Sequence, residues 1–106
     1  FGTPVVFEAA STDYTSAAFD SSNNKVVISY SDKGNSNYGT SVVGTVSGTS
    51  ISFGSAVVYT SEYTVYTAIV FDSNVNKVVI SYRAATDGDR GKSVVGTFSG
   101  TFISSG

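Results

Sequence analysis

The sequence predicts an all-β fold: two four-stranded antiparallel blades of a β-propeller, with the ring closed by homo-oligomerisation. Three observations carry that expectation. First, residues 1–52 and 53–104 align without a gap, with about 28 of 52 positions identical, a period in the range of stacked or radial repeats. Second, the apolar runs are rich in β-branched residues and show no helical period. Third, Val26-Val27-Ile28, Val42-Val43 and Val5-Val6 put apolar side chains on both faces of their strands. A sheet with one wet face alternates apolar with polar, whereas a small antiparallel sheet covered on both faces needs a neighbour on either side, as a blade has. A sandwich of two four-stranded sheets is the competing architecture.

The elements follow in order. The first strand, 14–19, runs into Asp20-Ser21-Ser22-Asn23-Asn24, a cluster of turn formers. The second is 25–30, and after a polar loop comes the third, 40–46. Ser47-Gly48-Thr49 turns the chain into a long fourth strand, 51–59, with Gly54 as its expected bulge. The second repeat gives 66–71, 77–82, 92–98 and a last strand from Thr101 onward. The single domain 1–106 is thus two tandem repeats, 1–52 and 53–104.

Two blades do not close a ring of typically four to eight. Phe1-Gly2-Thr3-Pro4-Val5-Val6-Phe7 matches the second half of the fourth strand (53–59), and Thr101-Phe102-Ile103-Ser104 matches its first half (49–52). Each end is then half a blade edge completed by another copy. Head-to-tail contact with a closing rotation makes the ring, with six blades from three chains, the favoured trimer, or eight from four.

Composition removes whole classes of chemistry. There is no Cys and no His, which excludes thiolate and Ser-His-Asp catalysis and the commonest metal ligands. A net charge of −2 without a basic cluster argues against nucleic acid. No apolar run approaches the ~20 residues of a membrane span. A carboxylate pair for glycoside hydrolysis is the chemistry left, but Glu8 and Glu62 fall at repeat positions 8 and 10 and do not align. The expectation is no enzyme and no cofactor.

Successive turns of a meander alternate between the two ends of the sheet. The turns at 20–25 and 47–50 share one end and are largely kept between repeats. The segments 8–13, 31–38, 60–65 and 83–90 share the other, and there the repeats diverge. Recognition residues sit on loops held by a rigid scaffold. The candidate ligand-binding residues are therefore Asp32, Asn35, Asn37, Tyr38, Tyr63, Arg83, Asp87 and Arg90. Exposed aromatics beside amides and carboxylates suit sugar C–H faces and hydroxyls; the alternative is ordinary loop solvation, with the Tyr rings lidding the core. Asp87-Gly88-Asp89 lacks the remaining acids of a Ca²⁺ loop, and no metal is expected. Asp20 and Asp72 read as side-chain caps of their turns, Lys25 and Lys77 as charges guarding a strand edge, and Tyr30 and Tyr82 as core.

The architecture resembles that of two-repeat lectins that trimerise into six-bladed propellers and bind sugars between blades. Their sites use Trp, and this chain has none. The repeat wording, Phe-Asp-Ser-x-x-Asn-Lys-Val-Val-Ile-Ser-Tyr followed by Ser-Val-Val-Gly-Thr-x-Ser-Gly-Thr, resembles repeats of virion-associated proteins of marine phages and environmental sequences. These resemblances imply an attachment role, on a virion or outside the cell. The functional expectation is a non-catalytic binding module recognising carbohydrate, its partners a glycan and copies of itself. The alternative is a structural repeat of a virion or extracellular appendage with no small ligand.

Overall fold

The computed structural model describes residues 1–99 and 102–105, with side chains described through Thr97. Among these residues the chain is all β apart from one 3₁₀ turn, Lys33–Asn35. The strands are β1 (Thr12–Asp20), β2 (Lys25–Asp32), β3 (Tyr38–Ser47), β4 (Ser50–Phe53), β5 (Val57–Asp72), β6 (Lys77–Ala84), β7 (Arg90–Ser99) and β8 (Phe102–Ser105). Every pairing is antiparallel. They join into one open sheet in the order β1-β2-β3-β5-β6-β7-β8, with β4 paired to β3 off that path.

The hairpin turns form as their residues dictate. The Asp20 carboxylate accepts from the Ser22 amide at 3.0 Å and from Asn23 Nδ2 at 2.7 Å, and Asp72 accepts from the Asn74 amide at 3.0 Å. Asn24 and Asn76 then take the left-handed conformation, φ 55° and 57°, which Asn tolerates better than most residues. Gly48 supplies φ +61° in the β3–β4 turn. Lys25 and Lys77 donate to Thr45 and Thr97 on the neighbouring strand.

The fourth strand of the first repeat is split. β4 pairs with the last part of β3, and β5 begins at Val57 opposite Ser41. The break falls at 54–56, where the Gly54 amide still donates to the Val43 carbonyl at 2.9 Å; three residues face two on β3, which is the bulge expected there. Segment 60–65, expected as a loop, is instead strand in the middle of β5. Its residues, Thr-Ser-Glu-Tyr-Thr-Val, carry no Gly, Pro or Asn to stop extended backbone, so one 16-residue strand crosses between the repeats. The first half of β5 serves β3 and the second half serves β6.

The two four-stranded halves pack against each other around β5. Val27 and Val43 of the first repeat form a core with Ile69, Val78 and Ile80 of the second, flanked by Ala18, Val57, Tyr59, Phe71 and Val94. Pairing register fixes the faces: Ala18, Val27 and Val43 share one side of the first half, while Ile69, Val78, Ile80 and Val94 lie on the opposite repeat face of the second.

Residues 1–11 form no strand, yet they are anchored. The Phe7 ring lies 5.2 Å from that of Tyr30 and 5.8 Å from that of Phe53. This matches the second repeat, where Tyr59 lies 5.6 Å from Tyr82. Phe7 thus meets Tyr30 as its repeat equivalent Tyr59 meets Tyr82.

Candidate functional site

The divergent segments gather at one end of the sheet, where each repeat builds a polar cluster on the buried tyrosine two residues before the end of its second strand. In the first repeat the Tyr30 hydroxyl donates to Glu8 Oε1 at 3.0 Å, and the Ala10 amide donates to Glu8 Oε2 at 3.2 Å. Asp32 caps the 3₁₀ turn by accepting from the Gly34 amide at 3.0 Å. The amide bond from Ala10 holds the Glu8 carboxyl below its ordinary pKa, while burial, and then the Glu8 charge, push Asp32 above its own. Burial likewise pushes the Tyr30 phenol far up, with Glu8 adding to it.

In the second repeat the Tyr82 hydroxyl donates to Glu62 Oε1 at 3.0 Å. Glu62 also accepts from Lys92 Nζ at 2.6 Å and from Thr60 Oγ1 at 2.8 Å, and Lys92 reaches Asp87 at 2.9 Å. The Lys92 contact, then Thr60 and Tyr82, lower the Glu62 pKa, and the two carboxylates raise that of Lys92. Glu8 and Glu62 are two positions apart in the repeat alignment and still meet equivalent tyrosines. The register shifts of β5 against β3 at Gly39 and Thr40 accompany that offset.

A third arrangement lies at the seam between the repeats. The register of β1 on β2 slips between Asp13 and Ser16, and that of β5 on β6 between Val65 and Ala68. At these bulges Tyr14 and Tyr66 take φ 55° and 53°. Left-handed backbone costs a bulky L-residue about 1–2 kcal/mol, and such strain clusters at functional sites. The two rings contact at 4.7 Å between centroids, and Thr67 Oγ1 donates to the Tyr14 carbonyl at 2.5 Å, tying the bulges together. Tyr14 is 40% exposed and Tyr66 62%. The Arg83 guanidinium lies 4.9 Å from the Tyr66 ring centroid, within cation–π reach, and 3.7 Å from Asp89. On the other flank Lys33 pairs with Asp13 at 3.4 Å. Tyr66, then burial, raise the Tyr14 phenol, with smaller contributions from Asp13 and Tyr63.

The candidate residues read from the sequence divide among these places. Arg83 and Tyr63 belong to the seam; Tyr63 is exposed and pairs with Tyr38 across β5 and β3. Tyr38 is half-buried. Asp32 is buried in the Glu8 cluster, and Asp87 is engaged by Lys92. Asn37 holds the loop, its carbonyl accepting from the Thr64 amide at 2.9 Å and from Ser31 Oγ at 3.2 Å. Asn35, in the 3₁₀ turn, and Arg90, which opens β7 rather than lying in a loop, are both exposed. Sequence reasoning passed over Tyr14 and Tyr66. The signal was present: Tyr14-Thr15 recurs unchanged as Tyr66-Thr67, at the edge of a diverging segment.

No group of three or more acidic residues capable of holding a metal occurs among the described residues. No helix among them is long and apolar enough to cross a membrane. No protein-family model, curated protein or solved structure matches the chain.

Proposed function

We propose that the chain is a non-catalytic binding module whose repeats act as blades of an oligomeric β-propeller, and that its ligand is a carbohydrate held at the seam between repeats. The observation that carries the reading is the strained, exposed Tyr14–Tyr66 pair with Arg83 beside it. Two aromatic surfaces offer flat apolar area to the C–H face of a pyranose at little entropic cost. The Arg83–Asp89 and Lys33–Asp13 pairs beside the platform supply donors and acceptors for hydroxyls. Such a role belongs on a cell-external or virion surface. A glycan array probed with the chain tests it. Wild type should bind a defined set of glycans, and Tyr66→Ala or Arg83→Ala should weaken binding at least about tenfold, equivalent to 1.4 kcal/mol, without changing the circular dichroism spectrum. Absence of any bound glycan removes the reading.

A second reading, a structural repeat of a virion or appendage, is favoured by the open apolar face of the second repeat, where Val70 is 64% exposed. It expects assembly with a blank array.

A further inference from the structure

We propose that the outer face of the second repeat, together with the open edge of β7, docks onto residues 1–7 and the face beneath them on a second copy of this chain, in the register by which the two repeats already pack. The proposal rests on the oligomeric reading above and specifies its interface.

The interface inside the chain supplies the template. Val27 and Val43 are at most 1% exposed because the second half covers them. Their repeat equivalents, Val79 and Val95, occupy the same positions on the second half, and nothing described covers that side: Val95 is 40% exposed. The face that would receive them is also present. Val78 and Ile80 of the second half are buried against the first; on the equivalent face of the first half Val42 and Tyr30 are buried, but Val26 and Ile28 are only half-buried and Phe19 is exposed, so that face is open in part. One chain therefore carries both halves of a contact it has already made once. Because the donor and acceptor faces differ, the contact is heterologous and propagates from copy to copy.

The strand edges agree with the faces. On β3, the residues opposite β2 are also paired with β5, Ser41 with Val57 and Thr40 with Val58. On β7, the equivalents Ser93 and Lys92 pair with β6 alone among the described residues. A Cβ built on Gly91 would meet nothing within 4 Å, while one on the equivalent Gly39 would strike Tyr59 and Thr60. Segment 1–7 repeats 53–59 in sequence, and Phe7 meets Tyr30 as its equivalent Tyr59 meets Tyr82. The equivalent register sets Val5 opposite Ser93 and Val6 opposite Lys92 of the other copy. Polar pairing is also satisfied. Ser29 bonds the Tyr59 hydroxyl inside the chain. Its equivalent Ser81 is bonded to Ser93 instead, so Phe7, which lacks a hydroxyl, leaves no serine unpaired.

Two measurements on the full chain test this. In sedimentation equilibrium the wild type should run as a multiple of 11.0 kDa. Val95→Asp would bury an unpaired charge, so self-association should weaken at least about 100-fold while the monomer keeps its spectrum. The chain has no Cys, so Val5→Cys with Ser93→Cys should form intermolecular disulfides on oxidation. Val6→Cys with Ser93→Cys points to opposite faces and should not. A monomeric wild type overturns both this docking and the ring. An assembled wild type that tolerates Val95→Asp and fails to cross-link in register overturns this docking and leaves oligomerisation standing.

Discussion

The hexapeptide Lys-Val-Val-Ile-Ser-Tyr occurs twice, as the opening of β2 and of β6; its tyrosine is buried in both, but its Val, Ile and Ser positions bury opposite faces. In β2 the first-repeat core takes Val27 and Ser29; in β6 the core takes Val78 and Ile80, and Ser81 lies outside. Identical residues with identical neighbours along the strand thus meet different environments, because the chain order places one half on the other in only one sense. Each strand carries apolar residues on both sides, and the valine and isoleucine positions are fully covered on one side of each. Local sequence specifies the strand; the neighbouring layer decides which of its faces becomes core.

Truncation of the repeated isoleucine should break the two strands apart most clearly. Ile80 is 1% exposed within the core, so Ile80→Ala removes transferred methylenes and leaves a cavity, costing about 3–4 kcal/mol. Ile28 occupies the same motif position but is only half-buried, and Ile28→Ala should cost about 1–2 kcal/mol. Urea titrations at a concentration below self-association measure both. Equal losses would mean that the two faces are equally covered.

Much of the fold could be read in advance because its determinants are local. Asp20-Ser21 with Asn24, and Ser47-Gly48, stop strands in both repeats, and runs of β-branched residues fill the space between. The strand across 60–65 was not legible, since its aligned counterpart 8–13 is Glu-Ala-Ala-Ser-Thr-Asp and reads as loop; the β-forming substitutions in the second copy carry β5 through. The seam was half legible. Arg83 and Tyr63 stood out as loop residues, but Tyr14 and Tyr66 read as first residues of strands. Only the bulges, which need the pairing register to be seen, turn them outward. Convergence of Glu8 and Glu62 on equivalent tyrosines was hidden for the same reason, because a gapless alignment does not register a bulge.

The kept turns allow a finer test of how far equivalent positions differ. Asp20 is buried and accepts from both Ser22 and Asn23, whereas Asp72 is exposed and accepts from the Asn74 amide. Asp20→Ala should therefore cost about 1–2 kcal/mol and Asp72→Ala about 0.5 kcal/mol. Both variants should keep glycan binding, since these turns lie at the far end of the sheet from the seam. Loss of binding in Asp20→Ala with the fold intact would move the site to the other end.

Removing one hydroxyl from each polar cluster probes the next smaller difference. Tyr30 is fully buried, and its hydroxyl donates to Glu8 alongside the Ala10 amide. Glu62 keeps Lys92 and Thr60 when Tyr82 is lost. Tyr30→Phe should cost about 1.5 kcal/mol and Tyr82→Phe about 0.5 kcal/mol, read from the same urea titrations. A reversed order would show that Lys92 does not support Glu62 in solution.

The smallest effect, and the one with a distinctive sign, is the pH dependence of the two clusters. Glu62 has a folded pKa below its ordinary value because Lys92, Thr60 and Tyr82 favour the ionised carboxylate. Its contribution is present above the unfolded pKa of about 4.3 and is lost as pH falls through the folded value. Asp32 is shifted upward by burial and by the Glu8 charge. Its protonated form is favoured by folding, so its contribution is complete below the unfolded pKa of about 3.9 and is lost as pH rises through the folded value. Glu62→Gln should therefore lower the melting temperature at neutral pH, with the deficit closing as pH falls through the lowered folded pKa. Asp32→Asn keeps an oxygen to accept from the Gly34 amide and should gain stability relative to wild type as pH rises from about 3 to 7. Melting curves across that interval should diverge in opposite directions for the two variants, because one carboxyl sits against a lysine and the other against a second carboxyl. Parallel curves would show that the repeats present their acids to equivalent surroundings, and the contrast between the two ends of the chain would not extend to their charges.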